Sequence, residues 1–436
     1  MAVAVLGFGK SGQAVYRLLK KKGYDVEVFD DKITGTKREG FLFGERAGAF
    51  LEKNFDFVVT SPGIKPTHRF IKSALERKIE VISELELASR FAKKPIIAVT
   101  GTNGKTTTVK LIESILNVAG FNALACGNCG VAFSDVVDKD VDFFVVEASS
   151  FQLEFIKDFK PHIAAILNID FDHLYWHGSM ENYINAKRKI FKNQSGEDYF
   201  LKNDDDSYVF DGKSRLLVVS RKNSNADAYI KVNGVVVNFE KRFIIDKTRL
   251  FGLGNWENIG FAALTCLILG IDGKTIKEVV GEMSNLEHRI EYVAEIDGVK
   301  FYNDSKATNL DAVENALKSF DKKKNIVLIL GGKHKGESYA RLLPLLEEYV
   351  RVVVVYGEDR KQIMQELKDF LPIPLPAVNI WGAVRGAFEV AFKGDIVLFS
   401  PGGSSCEPYN NFEERGKAFK EEVLKFKEEY DAAPLI

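Results

Sequence analysis

The stretch Ile96-Ile97-Ala98-Val99-Thr100-Gly101-Thr102-Asn103-Gly104-Lys105-Thr106-Thr107 constrains this chain more than any other. A short apolar run of strand character ends in a turn bracketed by two glycines. Lys-Thr then opens a segment that reads as a helix over 107–118. Strand, glycine turn and helix in that order make a phosphate cradle. Backbone N–H groups and a helix N-terminus face the anion, a lysine adds a point charge, and a hydroxyl reaches a divalent cation. Gly101, Thr102, Asn103, Gly104, Lys105, Thr106 and Thr107 are the candidate cofactor-binding residues, in a G-x-x-G-K-T spacing tighter than the common Walker pattern. A polar turn with a capping threonine has a similar composition, and the order of elements favours the phosphate reading.

A second glycine cluster, Gly7-Phe8-Gly9-Lys10-Ser11-Gly12, follows the strand Val3–Leu6, and Asp30-Asp31 stands at the end of the next strand, where a ribose-binding acid belongs. Alone, this pattern also suits an NAD-dependent oxidoreductase, or glycines that serve only helix–sheet packing. The 436 residues suggest about three domains at roughly 150 residues each. Alternating strand and helix signals place them at 1–92, 93–287 and 288–436. The expected class is α/β: an N-terminal Rossmann-like domain, a central P-loop mononucleotide-binding α/β domain and a C-terminal Rossmann-like domain. Between 196 and 250 the texture suggests small antiparallel strands decorating the central domain, and Trp256 to about Met283 reads as all helical.

A formal net charge of −1 argues against a nucleic-acid partner. The run Ile259–Ile271 is too short to span a bilayer, so no membrane insertion is expected. Four cysteines and an N-terminus without a basic region point to a reducing, cytoplasmic setting. The pair Cys126 and Cys129 has no second ligand pair to make a zinc site.

Three further groups stand near strand ends. Glu147 closes the run Phe143–Val146, where P-loop enzymes often place a metal-directing acid, or simply a solvated one. His173 follows Asn168-Ile169-Asp170-Phe171-Asp172 and reads either as a metal ligand or as a cap. By composition Lys187 is one member of a cationic helix face, Lys187-Arg188-Lys189.

Together TGTNGKTT (100–107), GN (127–128), EASSFQLE (147–154), NIDFDHL (168–174), NAKRKIF (185–191), GNWEN (254–258), HRIE (288–291), NDSKATN (303–309), SPGGSS (400–405) and NNFEERG (410–416) resemble the Mur ligase family of ATP-dependent amide-forming synthetases. The resemblance covers about residues 3–425, and SSFQLE and NDSKATN favour its D-glutamate-adding branch. It implies ATP and two Mg²⁺ ions as cofactors, and UDP-N-acetylmuramoyl-L-alanine and D-glutamate as small-molecule substrates of a monomer.

It also implies site roles. Lys105 and Thr106 would hold the β- and γ-phosphates and one Mg²⁺, with Glu147 on the same ion. His173 and a carbamylated Lys187 would hold the second ion. Asn255 and Asn258 would meet adenine, Asp304 the ribose and Arg289, after His288, a phosphate, while Lys306 would sit near the transferred phosphoryl group. Asn128 would touch the muramoyl part. Lys10, Ser11, Gly12 and Asp30 would take the uracil and diphosphate, and Thr308, Lys335, Ser405 and the Phe412 backbone the amino acid. The loop Gly332-Lys333-His334-Lys335 is more basic than that branch implies, and Glu407 adds an acid nearby. A sister ligase that takes a basic D-amino acid such as D-lysine is therefore the alternative.

Overall fold

The computed structural model describes residues 1–33, 39–128, 130–170, 172–206, 208, 211–250, 252–285, 287–320, 322–333, 336–405 and 408–432, with the main chain alone for 175 and 253. It divides into two compact units, Met1–Lys247 with Asn255–Glu282, and Thr248–Gly254 with Met283–Ile436.

The first unit holds two sheets. The N-terminal sheet is all parallel, in the order Phe41–Phe43, Asp25–Asp30, Ala2–Leu6, Phe57–Thr60, Glu80–Ser83. Strand order reverses beside Ala2–Leu6, so the crevice of this doubly wound sheet opens at Gly7, where the glycine cluster begins. The second sheet runs Phe243–Ile245, Gly234–Val237, Ala228–Lys231, Arg215–Ser220, Tyr199–Asn203, Ile163–Ile166, Ile96–Thr100, Phe143–Glu147, Ala123–Gly127. Every residue of Ile96–Thr100 is buried, as a near-continuous apolar run in a parallel sheet requires. Its neighbours Phe143–Glu147 and Ile163–Ile166 run parallel to it, which carries Glu147 and Asn168 to the end where the phosphate loop starts.

Two sequence expectations change here. Arg215–Ser220 is not an antiparallel decoration. It pairs parallel with Tyr199–Asn203 and with Ala228–Lys231 and extends the main sheet. In this sheet, among the described residues, only Ala228–Lys231 with Gly234–Val237, and Gly234–Val237 with Phe243–Ile245, pair antiparallel. The helical stretch is two helices, Leu253–Ile268 and Gly273–Glu282. Gly270, at φ +82°, ends the first, with Ile271 N–H donating to the Cys266 carbonyl at 3.0 Å. Asp272 caps the second by accepting from the Lys274 and Thr275 amides.

One apolar core runs from Val3 and Val5 through Leu85 and Phe133 to Phe144 and Phe200, and so joins both sheets of this unit. Two buried carboxylates reinforce the join. Glu84 accepts from Ser134 N–H and from the Gln152 amide, and burial raises its pKa. Glu86, with no exposed surface, accepts from the main-chain N–H groups of Lys157, Asp158 and Phe159 and from Arg90. Glu86→Ala strands these buried donors. It is expected to lower stability by about 3 kcal/mol, read as a drop in the denaturation midpoint. A loss under about 1 kcal/mol would show that water replaces the carboxylate.

In the second unit the sheet order is Glu291–Ile296, Val299–Asn303, Ile396–Gly402, Ile326–Gly331, Val350–Tyr356, Leu375–Ala377, with only the first strand antiparallel. The C-terminal ends of Val299–Asn303, Ile396–Gly402 and Ile326–Gly331 therefore lie side by side. Separate cores cover the two sheet faces, one around Leu317 and Leu346, the other around Phe399 and Phe419.

Candidate active site

The phosphate loop joins Ile96–Thr100 to the helix Lys105–Val118. Gly104 has φ +83°, and a Cβ there would stand 2.2 Å from Asn258 Oδ1, so only glycine fits. The helix begins at Gly104 with no side-chain cap, which leaves its first N–H groups facing outward from the loop. The end of Ile163–Ile166 braces the loop from the side. Thr102 N–H donates to the Asn168 carbonyl at 2.9 Å and Asn103 N–H to Asn168 Oδ1 at 2.8 Å. Asn258 is buried, accepts from Thr108 Oγ1 and donates to Asn255 Oδ1, so this asparagine pair stands beside the loop helix.

Glu147 is 3 % exposed. Its Oε1 accepts from Asn128 Nδ2 at 2.9 Å, and its Oε2 is buried with no hydrogen-bond partner among the described residues. Gly127 lets the two strand ends meet: a Cβ there would be 2.4 Å from the Glu147 carbonyl oxygen. A buried carboxylate oxygen left without a donor fits a hard cation, and the hydroxyl of Thr106 is of the same donor class.

Two lysines converge on one carbonyl. Lys105 Nζ donates to the Gly101 and Thr102 carbonyls at 2.8 Å, and Lys187 Nζ to Gly101 at 2.7 Å. Lys187 is 1 % exposed, and its pKa falls well below the ordinary lysine value, first through burial and then through the charge of Lys105. It therefore favours a neutral amine. Its stem comes from the helix Met180–Arg188, and its nitrogen stands 4.6 Å from the centre of the Tyr183 ring, one helical turn earlier. The Tyr183 hydroxyl bonds Thr102 Oγ1 at 3.0 Å, which ties this helix to the loop. His173 sits at φ +57° before the turn Leu174–His177, its ring centre 4.7 Å from that of Phe151 in a tilted contact, with Nδ1 3.2 Å from Asp172. His177, bonded to Ser150 Oγ at 2.9 Å, has a pKa lowered to about 4 by burial and is neutral above that. Sequence reasoning gave no role to Phe151, Asn168, His177 or Tyr183. The available signal was, for Phe151 and Asn168, their place inside the motif strings, and for Tyr183 its i, i+4 spacing to Lys187; His177 lies between two strings and carried none.

In the N-terminal sheet, Asp30 accepts from Phe8 N–H at 2.8 Å and from Lys32 N–H at 3.0 Å, so it shapes the glycine turn. Gly12 lies against the Gly7 carbonyl, where any Cβ would collide, while Lys10 is exposed and Ser11 half-buried at the start of the helix Lys10–Lys21.

The second unit gathers its own set. His288, 3 % exposed and at φ +64°, pairs its Nδ1 with Asn303 Nδ2 at 2.9 Å. Burial lowers its pKa, and the neutral ring then carries its proton on Nε2. Glu287, His288 and Glu291 form a metal-sized group, yet Lys420 already pairs with both carboxylates. Arg289, half-buried, acts on the carboxyl of Asp304, which accepts from Ser400 Oγ at 2.7 Å and is pushed up to about 7 by burial. Lys306 Nζ stands 3.7 Å from the centre of the Phe412 ring. The Phe412 carbonyl accepts from Ser305 Oγ. Thr308 is half-buried, and Ser405 Oγ is buried with no partner among the described residues. Lys335 and Glu407, together with Cys129, His334 and Cys406, lie outside the described residues.

Strand, glycine loop and open helix, with a buried acid on the adjoining strand, define a P-loop α/β protein. Three family models match the chain: the Mur ligase MurD-like N-terminal domain over residues 1–83, the Mur ligase middle domain over 99–266 and the Mur ligase glutamate ligase domain over 288–403. The chain is 40% identical to the UDP-N-acetylmuramoylalanine–D-glutamate ligase of Caldicellulosiruptor saccharolyticus, over 97% of this chain and 98% of that one. It is 37% identical to the enzyme of the same name from Aquifex aeolicus, with the same coverage. Its fold is similar to that of the MurF ligase from Thermotoga maritima in complex with ADP (TM-score 0.62, 16% identity, 97% and 95% of the two chains). It is also similar to a pseudomurein peptide ligase type C from Methanothermus fervidus (TM-score 0.61, 17% identity, 98% and 100%). The chain belongs to the Mur ligase family and is a ligase. No helix among the described residues is long and apolar enough to cross a membrane.

Proposed function

We propose that this protein joins D-glutamate to UDP-N-acetylmuramoyl-L-alanine at the expense of ATP, a step in peptidoglycan precursor synthesis. Near-full-length similarity to ligases of that name supports the substrate pair. The observation that carries the chemistry is the convergence of Lys105 and the buried Lys187 on the Gly101 carbonyl at the start of the uncapped loop helix, with a buried carboxylate oxygen without a donor among the described residues on the adjoining strand.

The chain's residues divide the work. The loop 101–107 and Lys105 seat the ATP phosphates, and Asn255 and Asn258, beside the loop helix, take the base. Asn128, held by Glu147, meets the muramoyl part. The glycine turn at 7–12 with Asp30 takes the uridine diphosphate. Arg289, Asp304 and Lys306 act on ribose and phosphate, with neutral His288 behind them. Thr308, Lys335 and Ser405 seat the amino acid. Thr106 and Glu147 would hold one Mg²⁺ and His173 with a carbamylated Lys187 a second, and these ions would supply positive charge toward the phosphoryl oxygens. The substrate carboxylate attacks the γ-phosphorus and ADP leaves. The amine of D-glutamate then attacks the acyl phosphate carbonyl, and phosphate and one proton leave as the amide forms.

Phosphate release from ATP is expected only when UDP-N-acetylmuramoyl-L-alanine and D-glutamate are both present. Release that is indifferent to either substrate would remove the ligase reading for this pair. Turnover with D-lysine in place of D-glutamate would instead favour the sister-ligase alternative.

A further inference from the structure

Arg415 is the largest fully buried side chain of the second unit, 1 % exposed, and no carboxylate bonds it among the described residues. Its three guanidinium nitrogens each meet a neutral oxygen. Nε donates to Ser305 Oγ at 3.0 Å, Nη1 to the Gly403 carbonyl at 3.0 Å and Nη2 to the Ser305 carbonyl at 2.7 Å. Ser305 Oγ donates onward to the Phe412 carbonyl at 2.9 Å. Gly332 lies so close that a Cβ there would stand 2.9 Å from Nη1. One planar cation thus clips the loops that follow two adjacent strands, Val299–Asn303 and Ile396–Gly402, to the helix Phe412–Ala432, and packs against Gly332 after Ile326–Gly331.

A buried guanidinium on three neutral acceptors is an uneconomical way to stabilise a core, since desolvating the charge is unfavourable and no counter-charge bonds it. Its geometry has a different use. Lys306 and Thr308 follow Ser305, Ser405 follows Gly403, and Phe412 carries the ring beneath Lys306. Each residue proposed above for the amino acid within the described chain hangs from a loop that Arg415 holds.

We infer that Arg415 is a positioning residue for the amino-acid substrate: its fork fixes the spacing between the Ser305–Thr308 and Gly403–Ser405 loops and so sets amino-acid affinity. The inference rests on the function proposed above. Lysine keeps the charge but not the planar fork, so it cannot meet all three oxygens.

The test is steady-state kinetics of Arg415→Lys with each substrate varied in turn. The KM for D-glutamate is expected to rise at least about tenfold, while the KM for UDP-N-acetylmuramoyl-L-alanine, assigned to the first unit, stays within about twofold. Ser305→Ala removes one relay oxygen and little volume, and is expected to raise the same KM about fivefold. A D-glutamate KM unchanged in either folded variant would overturn the inference, as would a parallel rise in every KM with a lowered melting temperature. If Arg415→Lys does not fold, Ser305→Ala alone decides. A parent enzyme without D-glutamate-dependent phosphate release would instead sink the proposed function, so the two failures are distinguishable.

Discussion

Lys187→Ala is expected to lower turnover by about 10²- to 10³-fold, and acetate or propionate is expected to restore part of it. The nitrogen of Lys187 is buried, bonded to the Gly101 carbonyl and pushed toward the neutral amine by burial and by Lys105. A neutral amine adds to CO₂ and loses one proton, which gives a carbamate. An ammonium, with an ordinary pKa of about 10.4, does neither and repels a metal. The substitution would remove the proposed carbamate and leave a cavity beside the phosphate loop, where a small carboxylate can supply the missing oxygens. Acetamide has nearly the same shape without the charge and is expected to fail, and Lys187→Met, which fills the space, is expected to resist rescue. Wild-type activity in Lys187→Ala, or equal rescue by acetamide, would refute the carbamate. A mass gain of one CO₂ on the native protein at neutral pH would support it independently.

Gly104→Ala is expected to abolish tight nucleotide binding. An L-residue at φ +83° is strained by about 1 kcal/mol, and its Cβ would have to displace Asn258 Oδ1 from 2.2 Å. Asn258 cannot yield alone, because it is buried and bonded to both Thr108 and Asn255. Loop, helix and base site would shift together. ADP affinity by calorimetry is expected to fall at least about a hundredfold, with a loss of about 2 kcal/mol in stability. Gly9→Ala is the matched control: a Cβ there meets nothing within 4 Å, and stability should change by less than about 0.5 kcal/mol. Unaltered ADP affinity in Gly104→Ala would mean that the loop tolerates the side chain and that the asparagine pair does not report on the nucleotide.

How far the sequence reached depends on the range of the interactions. The phosphate loop was legible because its parts are contiguous: the apolar run, the two glycines and Lys105-Thr106 write the strand, the turn and the helix in order. Lys187 was not legible by composition. It lies in a cationic triplet, yet its neighbours Arg188 and Lys189 reach acids while Lys187 turns inward to a carbonyl 86 positions away. Arg215–Ser220 was misassigned because alternation marks a strand without marking the direction of its partner.

The sequence by itself determined the class of fold, three successive α/β segments, and the family, since ten motif strings are local patterns that survive without coordinates. Tertiary structure alone decided which acids and cations lose their water. Glu86 collects three amides, Glu147 keeps one oxygen without a donor among the described residues, Lys187 is buried against the Gly101 carbonyl, which lowers its pKa, and Arg415 spans Ser305 and Gly403. The physical reason is that desolvation and hydrogen-bond geometry are set by whatever packs against a side chain, and those neighbours lie tens to hundreds of residues away along the chain.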